Sequence, residues 1–266
     1  MSEVIEVVNL GFKDVLKGVN FKIERGSVLG LFGPNGSGKT TLLRLLSGVL
    51  TPSEGFIRYS SENPSESLSW SFEPPILPVH TSISEYRRYL TSIKGVTEDI
   101  DKLIEGFNLG AYRYMDMHRL SSGNMKKASL AFTLSRDVAC YLLDEPGINL
   151  DDQSKSFLLN ILMDKVSQGR SIVISTHEFE LFEGIVTDIL ILDRGRQLFY
   201  GGVNEVAGSI GVAYTHEEIV LDGVVTKKIG DKYLYIGDRE VLEGRGLDPN
   251  PPRLRDIYEY IFGVGS

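Results

Sequence analysis

Gly33-Pro34-Asn35-Gly36-Ser37-Gly38-Lys39-Thr40 matches the pattern GxxxxGK[ST] in full. Glycines at these positions let backbone N–H groups converge on phosphate oxygens at a helix N-terminus, where the helix dipole also favours an anion. Lys39 then reaches the β- and γ-phosphates, and Thr40 offers its hydroxyl to Mg²⁺, with Thr41 beside it in the nucleotide-binding set. The chemistry implied is capture of a nucleoside triphosphate with its metal. A second run, Cys140-Tyr141-Leu142-Leu143-Asp144-Glu145-Pro146, is apolar and closes on two adjacent acids. Asp144 suits Mg²⁺ and Glu145 suits a general base on an attacking water. Strand-end acids also serve as plain helix caps, and pairing with the phosphate loop favours the catalytic reading. Leu120-Ser121-Ser122-Gly123-Asn124 opens a helix, either as another phosphate-facing N-terminus or as an ordinary N-cap. His177 follows Ser175-Thr176 at a strand end, a place where a lone histidine is often structural.

These groups need a scaffold that brings them together. The apolar run 28–32 predicts a buried strand feeding the glycine-rich loop, and leucine spacing predicts a helix over 40–50. Strands are expected at 3–10, 19–24, 139–143, 171–175 and 189–193, with one near 67–72 inside an otherwise irregular 52–79. Helices are expected at 83–93, 100–107, 125–135, 152–167 and near 178–185. Strands alternating with helices predict a parallel sheet covered on both faces. After about 206 the pattern changes to a strand pair, 219–225 and 232–236, a break at Pro249, Pro251 and Pro252, and a helix at 254–262. The expected division is 1–205 and 206–266, with a helical insertion over about 74–135.

The composition sets limits. With 266 residues and 42% hydrophobic content the chain can bury a sizeable core, and its net charge of −8 argues against a general nucleic-acid binder. One cysteine, Cys140, rules out an internal disulfide and fits a reducing compartment. The start, Met1-Ser2-Glu3-Val4, reads as no signal peptide, and no apolar run approaches the roughly 18 residues of a membrane span. The expectation is a soluble protein that meets a membrane only through a partner.

Leu120–Asn124, placed just before a helix and upstream of the acidic strand, resembles the LSGGQ signature of the ATP-binding subunits of ABC transporters. The resemblance extends over residues 4–202. It implies a phosphate-loop NTPase core of the RecA-like α/β class, with an antiparallel N-terminal β-subdomain, an inserted α-helical subdomain and a small C-terminal α+β extension. It implies ATP and Mg²⁺ as cofactors, and a second ATP-binding subunit, homo- or heterotypic, joined head to tail. An integral-membrane permease is the other implied partner, which places the chain on the cytoplasmic face of the membrane. Ser121 and Gly123 would then meet the ATP of the other subunit, and His177 would be the switch histidine contacting the γ-phosphate and attacking water. Asn149-Leu150-Asp151 resembles the loop that crosses the dimer interface. Phe12 resembles the aromatic stacked on adenine, a core phenylalanine being the plain alternative.

Three positions depart from the family pattern. Glu73, in Ser71-Phe72-Glu73-Pro74-Pro75, stands where a glutamine is usual; it is either a further metal contact or a surface acid. Ser122 replaces the first signature glycine and Asn124 the glutamine, so a Cβ at 122 threatens a close approach. Gly147 occupies a usual serine position. Lys39, Asp144, Glu145 and His177 are all present, which predicts active hydrolysis. Pro252-Arg253-Leu254-Arg255-Asp256-Ile257-Tyr258 resembles the ending of exporter-type subunits, or is simply an amphipathic helix on the core. Pro74–Pro78 with Tyr86 and Tyr89 either lines a permease groove or packs internally. The competing functions are a soluble ABC-type ATPase, for example in iron–sulfur assembly, and an ATP-sensing module with little turnover. Long coiled-coil or zinc insertions of DNA-repair members are missing from the sequence, as is a second ATPase unit.

Overall fold

The computed structural model describes residues 3–92 and 100–265, and the side chains as far as 263. In chain order the elements are β1 (Glu3–Phe12), β2 (Leu16–Glu24), β3 (Val28–Phe32), α1 (Lys39–Leu46), β4 (Glu54–Tyr59), α2 (Pro64–Ser67) and β5 (Leu68–Ser71). Then come α3 (Ile83–Thr91), α4 (Ile100–Gly106), two single 3₁₀ turns, α5 (Ser122–Leu134), β6 (Cys140–Asp144), α6 (Asp152–Ser167), β7 (Ser171–Ser175) and α7 (Phe179–Phe182). The chain closes with β8 (Asp188–Asp193), β9 (Arg196–Gly202), α8 (Val203–Ser209), β10 (Ile210–Thr215), β11 (Val225–Ile229), β12 (Lys232–Asp238), α9 (Arg239–Glu243) and α10 (Leu254–Gly265).

Nine strands form one mixed sheet in the order β4-β1-β2-β9-β8-β3-β7-β6-β5. The run β8-β3-β7-β6-β5 is parallel, β9 returns antiparallel to β8, and β4-β1-β2 is an antiparallel flank. Every residue of β3, β6 and β7 is buried, as a sheet covered on both faces requires. Side-chain alternation divides each strand between two cores. Val28, Phe32, Tyr141, Leu143, Ile172 and Ile174 face the layer that holds α5, α6 and α10; Leu29, Leu31, Leu142 and Val173 face α1 and the antiparallel flank. The three-stranded sheet β10-β12-β11 is separate, with its own small core around Tyr235 and Leu242.

Several expected elements are corrected. The helix expected over 40–50 ends at Leu46, because Gly48 takes φ 75° just past the cap, a left-handed conformation that stops a helix. The stretch 52–79 contains β4, an edge strand on β1 whose residues are exposed or half-buried, so no apolar alternation marks it. The helix expected from 125 starts at Ser122, that near 178–185 shortens to Phe179–Phe182, and that expected to 93 ends at Thr91, residue 93 lying outside the described residues. The strand expected at 219–225 is broken by the Asp222-Gly223 turn, with Gly223 at φ 71°. Its place beside β12 is taken by Val225–Ile229, and the other partner, Ile210–Thr215, was not expected at all.

The closing helix α10 packs onto the main core. Leu254 and Ile257 are fully buried, and Tyr258 sits 5.1 Å from Phe179 between ring centroids. Ile257→Ala is expected to lower the unfolding free energy by about 2–5 kcal/mol, the usual cost of emptying a closed apolar site. Denaturant unfolding measures this, and a loss below about 1 kcal/mol would show that α10 is only loosely docked.

Candidate active site

The loop after β3 and the first turn of α1 form one wall of a cleft of about 320 Å³. It is lined by Asn35, Gly36, Gly38, Lys39, Thr40 and Thr41 from that loop, Asp144 and Glu145 from the end of β6, Glu73 after β5, and Val15. No side chain caps α1 at Gly38, so the helix start is turned to the cleft without a competing acceptor of its own. The Ser37 hydroxyl is buried in the same loop without a hydrogen-bond partner, an orphan of the kind a bound anion would satisfy.

The polar groups predicted to do chemistry converge because parallel strands deliver their C-terminal ends to one edge of the sheet. Thr40 Oγ1 donates to Asp144 Oδ2 at 2.8 Å, and Ser175 Oγ donates a short hydrogen bond to Asp144 Oδ1. Hard oxygen donors this close together fit Mg²⁺. Thr40 and Asp144 would hold the ion, with Glu73 on the same cleft. Lys39 Nζ donates to the carbonyls of Gly33 at 2.7 Å and Pro34 at 3.1 Å, and lies 3.3 Å from His177 Nε2. Burial holds the Lys39 ammonium below its ordinary pKa, opposed by the charges of Glu145 and Asp144.

Glu145 stands beside His177. The His177 backbone N–H donates to Glu145 Oε2 at 3.2 Å, and His177 Nε2 lies 3.4 Å from Glu145 Oε1. One ring nitrogen thus faces an ammonium donor and a carboxylate acceptor, and it can answer only one of them in a given tautomer. Burial lowers the His177 pKa, with the Lys39 charge adding to it, so the ring is neutral near pH 7. Burial raises the Glu145 pKa, with the His177 hydrogen bond and Lys39 pulling the other way. A carboxyl moved upward toward the working pH is what a general base needs.

Two of the three departures, Glu73 and Gly147, have a physical partner. Glu73 accepts from Lys126 Nζ at 3.1 Å, and the same ammonium donates to the Asp144 carbonyl at 2.6 Å. Lys126 is 1% exposed, so Glu73 is the counter-charge of a buried lysine, whose own pKa burial lowers. Ser122 is exposed at the first turn of α5, and the close approach falls one residue later. A Cβ on Gly123 would lie 2.7 Å from the Asn149 carbonyl oxygen, which brings the signature segment against the 147–151 loop. A Cβ on Gly147 would lie 2.1 Å from Glu178 Oε2, so the carboxylate of Glu178, paired with Lys155, fills the space a serine would take.

Ser121 caps α5, accepting from the Asn124 N–H at 3.2 Å, and neither Ser121 nor Gly123 lines the cleft. Phe12 ends β1 half-buried against the core, with the Lys13 ammonium 5.2 Å from its ring centroid; Val15, not Phe12, borders the cleft. Asp151 caps α6 by accepting from Ser154 N–H at 2.8 Å and pairs with Lys127 at 2.5 Å. The Lys127 hydrogen bond is the larger cause that holds its carboxyl well below the usual range. Sequence reasoning missed Val15, Ser175 and Lys126. Ser175 was visible as the strand-end residue two before His177, whereas Lys126, next to Lys127 at the start of a mixed helix, carried no such signal.

A phosphate loop after β3 and a pair of acids at the end of β6, two strands away in the sheet, line one cleft and fit a nucleoside-triphosphate site. The ABC transporter family model matches residues 16–147. The uncharacterized ABC transporter ATP-binding protein YybJ of Bacillus subtilis is 30% identical over 206 residues, 73% of this chain and 94% of that protein. The energy-coupling factor transporter ATP-binding protein EcfA of Methanosphaera stadtmanae is 27% identical, over 83% of this chain and 84% of its own. The Nod factor export ATP-binding protein I of Cupriavidus metallidurans is 27% identical, over 79% of this chain and 74% of its own. A solved ATP-binding subunit of an ABC transporter shares the fold, with a TM-score of 0.71 at 24% identity, over 77% of this chain and 92% of that one. The chain belongs to the ATP-binding proteins of the ABC transporter family, ATPases whose hydrolysis is coupled to transport. No helix among the described residues is long and apolar enough to cross a membrane.

Proposed function

We propose that this chain is the ATP-hydrolysing subunit of an exporter-type transporter, working from the cytoplasmic face and closing head to tail with a second ATP-binding subunit. The observation that carries the reading is the meeting of Lys39, Thr40, Asp144 and Glu145 in one cleft, with the His177 ring against Lys39 and Glu145. In this mechanism Lys39 and the α1 N-terminus bind the phosphates, Thr40 and Asp144 hold Mg²⁺, and Glu145 takes a proton from water oriented with His177. When bound there, Mg²⁺ would supply charge neutralisation to the triphosphate. Ser121 and Gly123, which lie outside the cleft of their own chain, serve the nucleotide of the partner subunit, and Phe12 stacks on adenine.

The helical insertion carries exposed apolar side chains that suit a permease: Ile76 at 75% exposure, Val79 at 67%, Tyr89 at 59% and Tyr114 at 86%. Export rests on the resemblance of the Pro252–Tyr258 segment and on the export relative; the packing of α10 on the core accounts for Leu254 and Ile257 independently. The test is affinity capture of the tagged chain from detergent-solubilised membranes with ATP and Mg²⁺. Recovery of an integral-membrane protein together with an ATP-binding subunit is expected. Recovery of soluble partners alone overturns the reading in favour of a soluble ABC-type ATPase.

A further inference from the structure

The chain has four histidines, His80, His118, His177 and His216, and two of them stand together away from the nucleotide cleft. The His80 and His118 rings are 5.1 Å apart between centroids, set edge to face. Asp116 completes the group: one ligand atom each of His80, Asp116 and His118 lies within 4.8 Å of the other two. Two segments bring them there. His80 sits in the turn before α3 at φ 57°, and Asp116 and His118 belong to the 3₁₀ turn before the signature segment.

Backbone bonds hold the two segments in register. Ser82 and Asp116 form an isolated antiparallel bridge, Met117 N–H donates to the Thr81 carbonyl at 3.0 Å, and Ser84 N–H donates to the Arg113 carbonyl at 2.9 Å. Met117 and Ser82 are buried between them, so the frame is packed while both imidazoles are exposed. The three donors are therefore supplied from fixed backbone and need only side-chain rotation to meet.

We propose that His80, Asp116 and His118 form a binding site for a divalent transition-metal ion, with Zn²⁺ the best fit. Two imidazoles and one carboxylate select a borderline-soft ion over Mg²⁺, and three protein ligands leave a fourth position to water or to an outside donor. Tetrahedral zinc with ligand bonds of about 2.0–2.1 Å places neighbouring ligand atoms about 3.4 Å apart. The observed spread closes to that distance through torsions of exposed side chains alone. A bound ion ties the loop that runs from Glu73 to the turn before α3 to the segment that leads into Ser121.

The experiment is calorimetric titration of Zn²⁺ into the untagged chain, with Mg²⁺ in excess to occupy the nucleotide site. One equivalent of Zn²⁺ is expected for the unaltered chain. His80→Gln and His118→Gln should each weaken it about tenfold or more, since even outer-shell partners of metal ligands cost that much. His216→Gln, beside Asp231 at 3.6 Å, should leave it unchanged. Zn²⁺ should also raise the unfolding midpoint of the unaltered chain and not that of the double variant, by mass action on the folded state. The metal-free midpoints of all variants should coincide, which shows that they fold. Failure of the unaltered chain to bind Zn²⁺, or equal binding by the His80→Gln/His118→Gln variant, overturns the proposal.

Discussion

Glu145→Gln is expected to leave ATP bound and to lower turnover by about 10²–10⁴-fold, the range a positioned general base contributes. The amide keeps the shape of the side chain and can still accept from the His177 N–H, but it cannot take a proton. The other two carboxylates of the cleft do not replace it, because Asp144 is committed to Thr40 and Ser175 and Glu73 to Lys126. The backbone supports this assignment. Glu145 is held at φ 44°, a left-handed conformation that costs a non-glycine residue on the order of 1 kcal/mol, while its N–H donates to the Ser175 carbonyl at 2.9 Å. That strained link fixes the acid next to the strand that carries His177. The pH profile has a definite sign. A base must be ionised to work, so turnover falls as pH drops through its pKa, and burial sets that acid limb above the ordinary 4.5. Equilibrium nucleotide binding and steady-state hydrolysis measure the two halves of the claim. Turnover within a few-fold of the unaltered chain would remove Glu145 from the base role.

Much of this site was legible in the sequence because the chemistry is written in short runs. The phosphate loop and the acidic strand end are contiguous, and a buried strand forces their side chains to its end, so Lys39, Thr40, Asp144 and Glu145 could be placed without coordinates. The central parallel strands were equally plain, since burial on both faces makes them continuously apolar. What escaped was relational. Lys126 reads as one of two lysines on a helix, and only the packing of α5 shows that both are buried, Lys126 against the Asp144 carbonyl and Lys127 against Asp151. The antiparallel strands β4 and β9 lie in the antiparallel part of the sheet with no fully buried residue, which deprives them of the alternation that reveals a strand. Ile210–Thr215 was missed although Ile210, Val212 and Ala213 are buried, because the pairing that makes it a strand is with β12, a distant segment of the chain. The contact at Gly123 was hidden for a related reason: it is set by a loop from another part of the chain.

Lys126→Met is expected to destabilise the fold by about 3 kcal/mol and to weaken ATP binding, although Lys126 does not line the cleft. Methionine matches the length of the side chain, so the loss comes from charge and hydrogen bonding, with little from volume. The Asp144 carbonyl loses its 2.6 Å donor, and Glu73 loses the cation that offsets it beside the triphosphate site. The loss falls at the low end of the range for broken buried pairs because the Glu73 side chain keeps 29% exposure and water can partly solvate it. Glu73→Gln removes the other half of the pair. It leaves a buried lysine whose charge was sustained by that carboxylate, and its pKa then falls further below the ordinary value. Joining the two changes leaves a neutral pair, which should be less destabilised than the sum of the single variants by about 0.5–3 kcal/mol. Denaturant unfolding of all four proteins gives this coupling, and nucleotide titration shows whether affinity recovers with it. Strict additivity would mean that the two residues act separately. Coupling in both readouts would make Lys126–Glu73 a charge-balanced replacement for the neutral glutamine that the family resemblance leads one to expect here, joining the end of β6 to the loop that leads to α3.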